Sequence, residues 1–215
     1  MKNLSMFTAL VLAMLSSTAG ATSVGGLELA SLANSVSGSN GAFLNYDSAT
    51  TADTISFAQL TADLTDADPA TYVLSLDASS YVDIGFTGSN AIYNGSGADL
   101  ALFFAGDNDT FSIQINGFTQ SYNPVLTGFM VSDRFSTYNL TVAQIDLADF
   151  GLGGSLDPLA DFRVFLGDSS HPALSLAGGF YTQPMVTAVP LPLPALLFAS
   201  GLGMLGLFRK KSRQS

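Results

Sequence analysis

The strongest constraint on this chain is its punctuation. Short runs rich in β-branched and aromatic residues alternate with clusters of Gly, Asn, Asp and Ser, the grammar of strands joined by tight turns. The clearest runs are Thr71 to Leu76, Tyr81 to Phe86, Asp99 to Phe104, Phe111 to Ile115, Tyr138 to Asp146 and Phe162 to Leu166. In Phe111-Ser112-Ile113-Gln114-Ile115 every second residue is apolar, so one face is buried and the other solvated. Ala101-Leu102-Phe103-Phe104 is apolar throughout, as a central strand covered on both faces requires. Asn94-Gly95-Ser96-Gly97 and Gly106-Asp107-Asn108-Asp109 read as turns, and Asn116-Gly117 as a hairpin dipeptide. Helical signal is scarce: Ser56 to Leu64 predicts one short helix and Asp146 to Phe150 a single turn. The pattern predicts an all-β domain, a two-layer sandwich.

The two ends follow other rules. Met1-Lys2-Asn3 carries one positive charge, Met6 to Leu15 is apolar, and Ala19-Gly20-Ala21 has the small-x-small form cut by signal peptidase. Residues 1–21 therefore read as a signal peptide, with cleavage specified by Ala19 and Ala21. At the other end, Val189-Pro190-Leu191-Pro192-Leu193-Pro194 precedes an uncharged apolar run over 195–208 and a basic end, Arg209, Lys210, Lys211 and Arg213. The motif and run together approach the ~20 residues that cross a hydrocarbon core. The basic end is a stop-transfer signal that keeps the C-terminus cytoplasmic. Residues 22–181 form the domain, 182–188 a linker and 189–213 the tail.

Motif, span and basic end, in that order, resemble the PEP-CTERM sorting signal in its VPLPA-type variant. The chain departs from that variant at Leu193, where Ala is common; here Ala follows one proline later, at Ala195. The resemblance implies a substrate of an exosortase-like transpeptidase in a Gram-negative bacterium. It would be held in the inner membrane until cleavage and then passed to the surface or the extracellular matrix. A second, looser resemblance lies in Ile92 to Phe103, with its Asn-Gly-Ser-Gly-Ala-Asp turn, and in Val142 to Phe150 and Phe162 to Asp168. These are similar to segments of bacterial surface proteins associated with exopolysaccharide. That resemblance implies a jelly-roll-like sandwich of the galactose-binding type.

Composition narrows the chemistry. All 17 acidic residues lie between the two ends, in about 167 residues, against two basic ones, Arg134 and Arg163; that segment carries −15. Such a surface repels nucleic acid. Cysteine is absent, which excludes disulfides and a thiol nucleophile, and one histidine, His171, cannot build a zinc centre. His171 lies two residues from Ser169, too close along the chain for a nucleophile–base pair, so it reads as a loop residue bonding backbone groups. Arg163, on a strand with apolar neighbours, is expected to pair with an aspartate.

Three functional readings remain open. The first is a non-enzymatic surface or matrix protein, associated with extracellular polysaccharide. The second is a binding module. It would use calcium at Asp107, Asn108 and Asp109, whose hard oxygens suit the ion although the spacing is not that of an EF-hand, or sugars on Tyr72, Tyr81, Tyr93, Tyr122 and Tyr138. The third is a polysaccharide hydrolase using two of the sixteen aspartates, none of which the sequence singles out. A plain solvated turn is the competing reading of Asp107 to Asp109.

Overall fold

The computed structural model describes residues 21–46, 53–75, 77–107, 109–132, 136–153, 158–167 and 171–183, all within one compact unit. The signal peptide through Gly20, the motif at 189–194, the apolar run, the basic end, and Asn108 and Arg134 lie outside them. Among the described residues no helix is long and apolar enough to cross a membrane.

Among the described residues the chain is all-β with one short α-helix and two 3₁₀ turns. Its strands are β1 (Thr22–Val24), β2 (Leu27–Leu29), β3 (Ser31–Leu32), β4 (Ser35–Asn40), β5 (Phe43–Tyr46) and β6 (Asp53–Thr54). Helix α1 (Phe57–Thr65) follows, then β7 (Tyr72–Ser75), β8 (Tyr81–Gly85), β9 (Leu100–Ala105), β10 (Phe111–Ile115) and β11 (Phe118–Tyr122). The last four are β12 (Val125–Ser132), β13 (Thr137–Ile145), β14 (Asp161–Phe165) and β15 (Leu174–Gly179). Two sheets account for most of them. A five-stranded sheet has the order β11-β10-β14-β8-β4, and an eight-stranded one runs β12-β13-β9-β15-β7-β5-β6 with β3 added beside β15. All pairings within them are antiparallel.

Both sheets face one core. Val82, Ile84, Phe111, Ile113, Phe162 and Val164 from the smaller sheet share a buried cluster with Leu100, Leu102, Phe104, Ile145 and Leu174 from the larger. Phe104 and Phe111 meet across it with ring centroids 4.5 Å apart. Strand β9 is buried at every position because it has apolar cover on both sides. Its even residues enter the shared core, while Ala101, Phe103 and Ala105 enter a second cluster beneath Val24 and Leu29 of the β1–β2 hairpin. At roughly 25 cal/mol per Å² of apolar area removed from water, these two layers are the main source of stability in a chain without disulfides.

Local sequence explains the punctuation. Asn116 and Gly117 both adopt positive φ (51° and 80°) and close the β10–β11 hairpin in a two-residue turn, with Ile115 opposite Phe118. Ser56 caps α1 by accepting from the Gln59 amide at 3.3 Å, and Leu60 and Leu64, one turn apart, bury the inner face. Asp146 accepts from the Ala148 amide at 2.8 Å and starts the 3₁₀ turn over Leu147–Phe150.

Candidate functional site

A surface depression of about 500 Å³ opens at one end of the eight-stranded sheet, where β9 and β12 finish and β13 and β15 begin. Strand register brings distant residues together there: Leu140 pairs with Ala105, Val131 with Tyr138, and Leu174 with Phe104 and Val73. The wall is apolar and aromatic, from Tyr72, Leu74, Ala105, Met130, Tyr138 and Ala173. The rim is polar, from Asp107, Asp109, Thr137, Asn139 and His171.

Each polar group is positioned by backbone around it. The Gly106 amide donates to the Asn139 carbonyl at 2.8 Å, fixing the base of the turn that carries Asp107 and Asp109. The Asp109 amide then donates to the Asp107 carbonyl at 2.8 Å, which tightens that turn. The Asn139 side-chain amide reaches the Asp107 carboxylate at 3.4 Å. His171 has φ 53° and places Nδ1 3.0 Å from the Ser75 carbonyl oxygen. A carbonyl only accepts, so Nδ1 carries the proton and donates, and Nε2 is the nitrogen left for a ligand. His171 is thus the backbone-bonding loop residue its sequence position suggests.

Tyr72 and Tyr138 meet edge to face in this depression, ring centroids 5.8 Å apart and planes at 74°. Tyr72 is buried and forms the floor; Tyr138 is half-buried. The Asp109 carboxyl titrates above its ordinary range. Burial is the largest cause, the neighbouring Asp107 charge adds to it, and His171 works against it.

Two other candidate tyrosines, Tyr122 and Tyr81, are committed elsewhere. Tyr122 stacks between Phe111 and Phe150 at 6.0 and 6.4 Å, and burial, with Asp149 and Asp146 nearby, pushes its hydroxyl up to about 12. Tyr81 is covered by the Arg163 guanidinium, 3.6 Å from its ring centroid. Arg163 forms the expected ion pair, with Nε and one terminal nitrogen donating to the two Asp83 oxygens at 2.7 and 2.9 Å. A smaller depression of about 230 Å³ lies over that pair, with Gln114, Asn116 and Asp161 around it. Its one guanidinium is held by Asp83, and Asp161 accepts from the Ser37 hydroxyl at 3.3 Å.

The acidic turn at Asp66 and Asp68 is likewise occupied. Asp66 accepts from the Asp68 amide at 2.8 Å and Asp68 from the Ala70 amide at 2.9 Å, the local bonding that shapes such turns. Among the described residues no three His, Cys, Asp or Glu side chains converge as a metal centre would need.

Sequence reasoning singled out the turn of Asp107 and Asp109, the tyrosines and His171 as separate candidates and had no means of bringing them to one place. It missed Asn139, Met130 and Leu74 as lining residues, because only the strand register places them together.

Neither a known family nor a curated protein matches the chain. Among solved structures it is similar to one titled "Crystal structure of Agl-KA catalytic domain", at 14% identity, covering 72% of this chain and 30% of that one, with a TM-score of 0.27. A likeness at that level carries no argument about fold or function, and the chain spans about 30% of that structure's length.

Proposed function

We propose that this is an exported, non-catalytic surface or matrix protein whose terminal depression binds a saccharide of extracellular polysaccharide. A signal peptide over 1–21 delivers the domain, and the tail over 189–213 hands it to an exosortase-like transpeptidase. The tail anchors the chain as a single transmembrane helix until it is cut. In this reading the two sheets form a jelly-roll-like sandwich.

One observation carries the binding reading: a single depression joins an aromatic pair to a rim of carboxylate, amide and imidazole. Sugars present C–H faces that pack on aromatic rings and hydroxyls that need fixed polar partners. A volume of about 500 Å³ falls within the range of small-ligand sites. A hydrolase would need carboxylates on two sides of a glycosidic bond. Asp107 and Asp109 come from one turn, so they approach from one side.

The test is calorimetric titration of the full chain in detergent with oligosaccharides, beside a Tyr138→Ala variant. Binding in the tens to hundreds of micromolar, weakened about tenfold by the substitution, is expected. Release of reducing ends from polysaccharide would overturn the non-catalytic reading. Intact mass of the protein from its host, with and without the candidate exosortase, tests the tail. Retention of Ser215 in the mature form removes the sorting reading.

A further inference from the structure

The sandwich has one edge where its surface chemistry changes. Strands β11 and β12, joined through Asn123 and Pro124, are the outermost strands of the smaller and the larger sheet among the described residues. Five of the six exposed large hydrophobic side chains in BUR-described positions fall on them: Phe118, Val125, Leu126, Phe129 and Met130, each between 54% and 63% exposed. The run from Thr110 to Ser132 holds no charged residue, in a domain that carries 17 acidic ones. Asp133 and Arg134, which follow it, bear opposite charges. We infer that this edge is a self-association surface, on which a second copy of the chain docks about a twofold axis through Leu126, Phe129 and their neighbours. The surface stands apart from the depression proposed above, although Met130 borders both.

Charge selects the occupant. The segment's −15 makes two copies repel one another over most of their surface. Laid edge to edge along this uncharged run, they bring no like charges together. Interface centres are depleted of charge and enriched in Phe and Met in the same way. A basic partner would be drawn instead to the acidic faces.

Area allows a pair. At the exposures given, each of the five side chains leaves about 100 Å² in water, or roughly 500 Å² per copy, the upper end of what a monomer usually shows. Two copies together bury about 1,000 Å², the size of a weak, reversible interface.

The backbone limits how the copies meet. Strand β12 is bulged between Leu126 and Met130, with Gly128 at φ 82°. Thr127 holds the bulge: its hydroxyl donates to the Leu140 carbonyl at 2.7 Å and accepts from the Phe129 amide at 3.1 Å. The Phe129 ring lies over Gly26, where a Cβ would stand 3.2 Å from it, so the ring is supported from below. A bulged edge resists the addition of another strand. The copies therefore meet through side chains and do not extend the sheet. One patch meeting itself about a twofold closes at two copies and does not run on into a fibre.

The experiment is sedimentation of the full chain in detergent over a concentration series. A monomer–dimer equilibrium with a dissociation constant on the order of 10 μM is expected. It should tighten as salt screens the repulsion between acidic copies. Leu126→Asp and Phe129→Asp should each weaken it by about tenfold or more; two variants guard against one failing to fold. The chain has no cysteine, so single cysteines give a second readout. Leu126→Cys should oxidise to a linked pair faster than Ser39→Cys, an exposed position on β4 at the opposite edge of the smaller sheet. A chain that stays monomeric to about 1 mM overturns the inference. So does association that both aspartate substitutions leave untouched, which would place the contact on the apolar tail or another face. Equal oxidation of the two cysteine variants overturns it as well.

Discussion

Asp99 is completely buried, and its Oδ2 accepts a hydrogen bond from the Leu147 amide at 2.8 Å across 48 residues of chain. Its other oxygen accepts from the Gly95 amide at 2.5 Å. One carboxylate thus ties the turn before β9 to the turn after β13. The main chain of Asp99 adds two bonds, its amide donating to Ile145 and its carbonyl accepting from Phe180. The Asn-Gly-Ser-Gly-Ala-Asp turn and the later Asp-Leu-Ala-Asp-Phe turn, two separate pieces of sequence, are one piece of structure.

Asp99→Ala leaves two amides without an acceptor. Each hydrogen bond to a charged group contributes about 1.5–3 kcal/mol, and an unsatisfied buried donor adds its own penalty. With two such bonds lost, a destabilisation of about 3–6 kcal/mol is expected in urea denaturation. Asp99→Asn keeps one acceptor and should lose roughly half as much. A midpoint unchanged in Asp99→Ala would show that the tie carries no load.

Stability should rise on mild acidification. Asp66, Asp99 and Asp109 all titrate above the ordinary 3.8, each chiefly because burial disfavours the charge. Between 3.8 and the folded values, the unfolded chain has released protons that the fold retains. Stability therefore falls as pH rises through that window and is recovered as pH drops back towards 3.8. Thermal melts at about pH 7 and about pH 4.5 check the sign, and a lower melting temperature at the acidic pH contradicts it.

Gly179→Ala should destabilise the domain by about 1–3 kcal/mol or more, the usual range for overpacking. A methyl group there would collide with the Ile92 side chain, which is itself fully buried. Gly117→Ala, at φ 80° but with open space around it, should cost about 1 kcal/mol through backbone strain alone. Comparing the two melts separates collision from conformation.

Calcium remains a proposal for the turn from Asp107 to Asp109. If the ion binds there, a tenfold excess over its dissociation constant stabilises the fold by about 1.4 kcal/mol, or about 3 °C in melting temperature for a domain this size. Chelator should reverse the shift. A melt indifferent to both millimolar calcium and chelator dismisses the ion.

Much of the fold was legible in the sequence because its strands obey one rule each. The runs expected at Tyr81, Asp99, Phe111 and Phe162 coincide with β8, β9, β10 and β14 to within a residue or two. The Asn116-Gly117 hairpin, the helix after Ser56 and the Arg163 ion pair follow in the same way. Among the strands outside those runs, β15 and β12 were hidden for physical reasons. Strand β15 reads Leu-Ser-Leu-Ala-Gly-Gly, which looks like a turn. Its glycines are required because the Leu29 and Ile92 side chains press against the backbone at Gly178 and Gly179. Strand β12 lies at the sheet edge with Val125, Leu126, Phe129 and Met130 all exposed, and a register shift between Leu126 and Met130 breaks its alternation. The candidate site was half legible. Its acidic turn and tyrosines stand out one by one, but their meeting is a property of strand register.

The position of β15 sets an order in time. Among the described residues it is the last strand, yet it lies between β9 and β7 near the middle of the larger sheet. Until Leu174 to Gly179 have emerged, β9 and β13 on one side have no hydrogen-bonded route to β7 and β5 on the other. Pairings this distant along the chain form slowly, because loop closure must precede any reward. A chain threaded through a translocon from its N-terminus would therefore stay unlocked until almost its entire domain had crossed. For an exported chain, as proposed above, β15 would act as a keystone, set in place when passage is complete.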